Sequence, residues 1–138
     1  LGKWTEARDW LTRCLDAAPR HAHAWFELGR TELELGALEA ARDAFAHAVT
    51  LDASDGDARL NLARICLRLG DYPPVRELLA PMAGQTAEID ALRYRAAAEL
   101  GLPEAVAEGE ALWGRDGGRA EALKALTRVA KGRMRLDL

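Results

Sequence analysis

The sequence predicts an all-α solenoid of stacked antiparallel helix pairs, about three and a half repeats followed by a C-terminal helix. Three observations predict it. Gly2, Gly36 and Gly70 recur at an interval of 34 residues. Side chains at set offsets from each glycine recur in kind: Trp4, Leu38 and Tyr72; Ala7, Ala41 and Val75; Leu11, Phe45 and Leu79; Cys14, Ala48 and Met82. Between the glycines the apolar residues keep a helical period. A repeat of this length builds a stack in which each unit covers its neighbour, rather than a domain around one centre.

Residues 1–21 read as half a repeat, the second helix only, ending near Ala18. The chain opens on Leu1 partway through a repeat, which reads as a piece of something longer. Without a preceding helix, Trp4, Leu11 and Leu15 are expected to be incompletely covered, which makes this edge a place for self-association. Residues 22–55 form a full repeat. Its first helix, 22–35, carries Trp25, Leu28, Leu33 and Leu35, with Gly29 marking a close helix–helix approach. Gly36 ends it, being free to take a left-handed conformation. The second helix, 38–51, presents Leu38, Ala41, Ala44, Phe45, Ala48, Val49 and Leu51. Ser54 to Asp57 reads as a turn plus capping box, Ser54 pairing with Asp57.

The third unit spans 56–86. Its first helix, 57–69, offers Leu60, Leu62, Ile65, Leu67 and Leu69, and its second opens on Pro73 and Pro74, where first-turn amides lack partners anyway. Pro81 would interrupt the ladder, so this helix should stop near Ala80. Gly101 then arrives 31 residues after Gly70, making 87–116 a divergent repeat. Thr86 caps a helix over 87–100 with Ile89, Leu92, Ala96 and Leu100 inward, and Pro103 opens a partner carrying Val106, Leu112 and Trp113. Gly114–Gly118 is a loop within the boundary to a last segment, 117–138. Its helix, Arg119 to about Lys131, is expected to pack through Ala120, Leu123, Leu126 or Thr127, and Ala130. The tail 133–138 alternates apolar and charged residues, as a starting strand or a frayed end would.

Composition narrows the function. Apolar residues make up 49% and charged residues 30%, which suits an ordered chain. A net charge of −3 and a pI near 5.6 argue against attraction to nucleic acid or to a membrane surface. Arg outnumbers Lys 16 to 3, a bias typical of GC-rich bacterial coding. No apolar run approaches the roughly 20 residues of a membrane-spanning helix. No signal peptide is visible, but a piece of a longer chain can lack one, so localisation stays open with the cytoplasm slightly favoured. Cys14 and Cys66 occupy apolar repeat positions and read as buried thiols rather than a disulfide or reactive pair.

These residues resemble the tetratricopeptide repeat family, whose pattern is Trp-x2-Leu-Gly-x2-Tyr, then Ala-x3-Phe, then Pro. Here it stands as Trp25-x2-Leu28-Gly29-x2-Glu32, Ala41-x3-Phe45 and Ala53. The opening half-repeat supplies Ala7-x3-Leu11 and Pro19, and the third unit supplies Leu62-Ala63, Cys66 and Val75-x3-Leu79. The likeness covers residues 2–80 and blurs over 81–116. HEAT and armadillo units are longer, and the Thr-Pro-Leu-His signature of ankyrin repeats does not occur. The resemblance implies a right-handed superhelix whose first helices line a concave face that holds a peptide or a partner's helix, and it implies no catalysis. Glu32 stands where an aromatic is usual; it reads as snorkelling or paired with a nearby Arg rather than as a ligand contact.

On the expected concave face, the positions not used in packing are Glu27, Arg30 and Glu34 in one repeat and Asp57, Asn61, Arg64 and Arg68 in the next. Arg30 and Arg64 are one repeat apart, hence about 8–10 Å apart on neighbouring helices, and Arg68 lies a turn beyond. Arg93 or Arg95 would continue the row. Such a row suits carboxylates of an acidic peptide or chain terminus. The competing reading is a solvated face neutralised by Glu27 and Glu34. Asn61 matches a carboxylate-clamp position of the family, but Phe26 and Arg30 stand where Lys and Asn are expected, which argues against that clamp.

Other chemistry is thin. His21, His23 and His47 do not make a converging metal set, and there is no phosphate loop, no Ser/His/Asp set and no Cys-x2-Cys pair, so neither cofactor nor metal is expected. Trp25 and Trp4 read as core; Trp10 and Trp113 read as partner surface. Trp4, Trp10, Leu11 and Leu15 form the candidate end contact. The expected function is therefore a non-catalytic interaction module for a protein or peptide. The alternatives are a substrate-recruiting domain of a larger bacterial enzyme, such as a glycosyltransferase or sulfotransferase, and a self-assembling spacer.

Overall fold

A computed structural model describes residues 2–136, with side chains described through Lys131. The elements are α1 (Gly2–Ala17), α2 (Ala22–Glu34), α3 (Leu38–Leu51), α4 (Gly56–Leu69), α5 (Pro73–Leu79) with a 3-10 turn (Ala80–Met82), α6 (Ala87–Glu99), α7 (Ala105–Gly114) and α8 (Gly118–Leu136). No strand occurs among the described residues. The chain forms two compact units, Leu1–Leu69 and Gly70–Leu138.

The first unit holds α1–α4. His21 starts α2, its Nδ1 accepting the Ala24 amide at 3.1 Å. Gly36 ends it at φ +77°, a conformation costly for any residue with a Cβ. The interior of α3 is Ala41, Ala44, Phe45 and Ala48, all buried. Gly29 of α2 lies against the Phe45 ring: a Cβ there would sit 2.8 Å from Cδ2 and Cε2. The expected close approach is thus an aromatic ring laid over a glycine. Phe26 meets the same ring edge-on, 5.4 Å between centroids.

Four expectations change in this unit. The cap of α4 is Asp55, whose Oδ1 accepts the Ala58 amide at 3.2 Å. Ser54 is drawn instead to Asp52, donating from Oγ to Oδ1 at 2.6 Å. The helix begins one residue earlier than expected, at Gly56, and the capping position moves with it. Leu15 is buried at 6% relative exposure, covered where α2 packs on α1. Trp4, at 40%, is not core. Cys14 is exposed while Cys66 is buried, and neither is in a disulfide.

The second unit holds α5–α8. Pro73 and Pro74 open α5, and the α-helical ladder stops at Leu79, where Pro81 imposes the 3-10 turn. Thr86 Oγ1 accepts the Ile89 amide at 3.1 Å and caps α6. Gly101 closes that helix region at φ +68°, repeating the role of Gly36. The ring-over-glycine contact reappears with its parts exchanged. Tyr94 is now on the first helix and Gly109 on the second, where a Cβ would come 2.8 Å from Tyr94 Cε2.

Small residues set the packing of this unit. Ile89, Ala91, Ala96 and Ala97 are the buried face of α6, whereas Leu92 is half-buried and Leu100, past the helix end, is exposed. On α7, Leu112 is buried but Val106 is 70% exposed, against expectation. The largest correction is α8. Its buried stripe is Ala122, Ala125 and Val129, while Leu123 and Leu126 face outward. Both stripes keep helical spacing, and the alanine stripe lets the helix axes come closer. The helix also runs to Leu136, through residues whose alternation suggested a starting strand or a frayed end. Positions 137–138 of that alternation lie outside the described residues.

Candidate peptide-binding groove

Helical spacing builds one groove in the first unit. Phe26, Arg30, Leu33 and Glu34 share a face of α2, and Asp57 and Asn61 lie one turn apart on α4. Together they enclose about 420 Å³. Four of the sequence-derived positions meet here: Arg30, Glu34, Asp57 and Asn61. Phe26 and Leu33 were missed as lining residues, although they fall on the Arg30 face by the same spacing. Phe26 is braced edge-on by the buried Phe45, which gives the groove a stiff aromatic wall.

The groove does not gather the arginine row. Arg30 Nη1 lies 3.3 Å from Glu27 Oε1, a pair within α2. Glu27 also has His23 Nε2 at 4.0 Å. Arg64 and Arg68 are not part of the lining; Arg64 is half-buried and Arg68 exposed. Asn61 Nδ2 is committed to its own helix, donating to the Asp57 carbonyl at 2.9 Å. With Arg30 balanced by Glu27, the remaining lining charges are the carboxylates of Glu34 and Asp57. The groove is therefore acidic with an apolar wall.

Glu32 has no part in it. This carboxylate is buried at 6% and takes both oxygens to Arg8 of α1, from Nε at 2.8 Å and from Nη2 at 2.7 Å. The residue that departs from the family pattern is thus paired to an arginine, and it fastens α1 to α2. The Glu32 hydrogen bond holds the Arg8 guanidinium above its ordinary pKa. Arg8 recurs one repeat later as Arg42 and again as Arg76, a regularity overlooked in the sequence. Arg76 reaches α6 and α7, donating from Nη1 to the Arg93 carbonyl at 3.1 Å and to Glu108 Oε2 at 2.6 Å. It too is raised, chiefly by the Glu108 bond.

At the α1 edge, Trp10 is 67% exposed and Trp4 40%, while Leu11 is half-buried and Leu15 covered. Of the four residues expected at an end contact, the two tryptophans are exposed, and Leu15 is covered, contrary to expectation. Trp25 is half-buried, its Nε1 donating to the Pro19 carbonyl at 2.8 Å. Trp113 is exposed, with Arg119 over its ring at 5.7 Å. Among the described residues no helix is long and apolar enough to cross a membrane.

Known proteins place this geometry. No curated protein matches the chain. Among solved structures, a crystal structure of MamA has 16% identity and a TM-score of 0.66, the match covering 99% of this chain and 92% of that one. Pseudomonas aeruginosa pilF has 20% identity and a TM-score of 0.69, over 92% of this chain and 60% of that one. YrrB, described as a TPR protein with an unusual peptide-binding site, has 16% identity and a TM-score of 0.68, over 94% of this chain and 78% of that one. Two sequence profiles described as tetratricopeptide repeat match residues 1–57 and 32–100. With half of the chain under the second profile alone, and with helix pairs, glycine stops and ring-over-glycine contacts as described, the chain belongs to the tetratricopeptide repeat family.

Proposed function

We propose that this chain is a protein–protein interaction module, without chemistry of its own, that holds a partner peptide in the groove between α2 and α4. The observation that carries the proposal is the lining itself: an aromatic wall with two uncompensated carboxylates beside it. Family membership supports an interaction role, and the peptide site named for the structurally similar YrrB supports a peptide as the occupant. The sequence suggested a partner with acidic groups. The lining favours the opposite charge, because Arg30 is already paired with Glu27 and the other arginines stand outside it. A segment placing an apolar side chain on Phe26 and Leu33, with a Lys or Arg toward Glu34 and Asp57, fits this lining. The same groove would serve if the chain recruits substrate for a larger enzyme.

Selection from a random peptide library displayed on phage tests the reading. Recovered peptides should pair apolar residues with Lys or Arg, and Glu34→Lys/Asp57→Lys should weaken them about tenfold, roughly 1.4 kcal/mol. Acidic consensus peptides, or affinities untouched by the double reversal, would remove the groove from consideration. A second reading, self-association through α1, rests on Trp4 and Trp10, two large aromatic surfaces exposed on one helix. Sedimentation that stays monomeric at millimolar protein would dispose of it.

A further inference from the structure

The net charge of −3 is unevenly spread along the chain. The 19 residues of α8 hold six Arg or Lys and one Glu, whereas the remainder holds 13 Arg or Lys against 21 Asp or Glu. Arg119, Lys124, Arg128 and Lys131 are exposed, and the one carboxylate, Glu121, is held by Lys124, Nζ to Oε1 at 2.8 Å. The whole-chain balance that argued against an anionic surface does not describe this helix.

The outward face of the same helix is apolar. Four of the seven large apolar side chains exposed among the described residues lie on α7 and α8: Val106, Trp113, Leu123 and Leu126. They share one surface. The short link 115–117 sets α7 and α8 side by side and antiparallel, and the Arg119 guanidinium lies over the Trp113 ring at 5.7 Å. Leu123 and Leu126 follow Arg119 by four and seven residues, which keeps them on its face of α8. Val106 precedes Trp113 by seven residues. Val106 and Leu126 therefore stand level with each other, about 10 Å farther along the pair. Glu110, a turn from both Val106 and Trp113, is an exposed carboxylate on this side of α7.

A nucleic-acid backbone would answer the cations and leave the four apolar side chains wet. An anionic bilayer answers both. Its headgroups take the cations, its acyl boundary takes the leucines and Val106, and an indole is at home between the two. The apolar stems of Lys and Arg let their charged ends reach headgroups from the flank of the helix. We propose that the outward face of α7 and α8 docks flat on an anionic phospholipid surface. Leu123, Leu126, Val106 and Trp113 enter the headgroup boundary, and Arg119, Lys124, Arg128 and Lys131 lie at the phosphates. This is attachment to a surface, not a span.

Co-sedimentation of the intact chain with large unilamellar vesicles tests it. Vesicles of equal parts phosphatidylglycerol and phosphatidylcholine should carry the chain down, and phosphatidylcholine alone should bind it roughly tenfold less. Added salt should weaken the binding. Leu123→Ser/Leu126→Ser and Lys124→Gln/Arg128→Gln/Lys131→Gln should each lower it about tenfold. Glu110→Gln, which removes the opposing carboxylate, should raise it. Circular dichroism checks the fold of each variant; where one fails, Glu110→Gln and the two vesicle types still decide. Phosphatidylglycerol brominated in its acyl chains should quench tryptophan fluorescence, and Trp113→Phe should remove most of that quenching. Quenching that survives Trp113→Phe and vanishes in Trp4→Phe/Trp10→Phe would move the contact to α1 and overturn the proposal. Equal binding to both vesicle types, or to neither, also overturns it. So does binding that needs the cations but not the leucines, which would point to an acidic macromolecule instead of a bilayer.

Discussion

Replacing Gly29 by Ala opposes two effects whose sizes follow from the structure. Alanine is the better helix former by about 0.8–1.0 kcal/mol, which by itself would stabilise α2. The new methyl, however, would stand 2.8, 2.8 and 2.9 Å from three atoms of the Phe45 ring. Carbon contacts are comfortable at about 3.5–4.0 Å, so roughly 0.7 Å or more must be found. The ring has little room to give: Phe45 has 0% relative exposure, and Phe26 packs edge-on against it. Overpacking of this kind costs about 1–3 kcal/mol. The packing term outweighs propensity, and a net loss of about 1–2 kcal/mol is expected. Urea unfolding followed by circular dichroism reads it as a lower midpoint at unchanged slope. Phe45→Leu should relieve the clash, so the double variant should lose less than the sum of the two single losses, by about 1 kcal/mol. A Gly29→Ala protein as stable as the parent, or strictly additive losses, would refute the ring-over-glycine account of the α2–α3 contact.

Two further sets of substitutions probe features that the family pattern does not supply. Arg8→Ala should lower the urea midpoint by stranding the buried Glu32 carboxylate, and Arg8→Ala/Glu32→Leu should recover much of the loss; a neutral Arg8→Ala would mean the pair holds nothing. The sign of its pH dependence follows from the raised Arg8 pKa: the arginine contribution is complete below the ordinary guanidinium value and disappears only in strongly alkaline solution. Leu126→Glu should change stability by no more than about 0.5 kcal/mol, whereas Ala125→Glu should cost several times that. Thermal melts with the opposite ranking would show that α8 packs through its leucines.

The helices were most legible where repetition did the work. α3 matches its expected span because Leu38, Ala41, Phe45 and Ala48 echo their counterparts one repeat away, and Gly36 fixes where the preceding helix must stop. Legibility falls in α8, where Ala122, Ala125 and Val129 compete with Leu123 and Leu126. Both sets have helical spacing, and hydrophobicity alone prefers the leucines. Only how closely the neighbouring helices approach decides, and a sequence does not carry that distance. The groove follows the same logic. A repeat interval placed Arg30, Glu34, Asp57 and Asn61 on facing helices, and the i,i+3 spacing offered Glu27 as the partner that Arg30 has, but neither could say that Phe26 would form the wall. Cys14 shows the limit at its plainest, since an apolar repeat position on α1 proved to be exposed.

Arginines spaced at the repeat interval therefore need a second criterion before they are read as a ligand row. Arg8, Arg42 and Arg76 keep the interval as faithfully as Arg30 and Arg64. Arg8 and Arg76 spend their guanidiniums on a neighbouring helix, where a carboxylate awaits each: Glu32 for Arg8 and Glu108 for Arg76. Arg42 has its nearest carboxylate next door, Asp43 at 3.5 Å, because Cys66 stands one repeat on from Glu32 and offers no charge. Periodicity places a guanidinium on a face; the carboxylates within its reach decide whether it staples helices or remains for a partner. By that criterion Arg30 is occupied. Arg93 and Arg95, outside the strict interval, each keep a buried Nε donor with no acceptor, so the interval does not decide their use either.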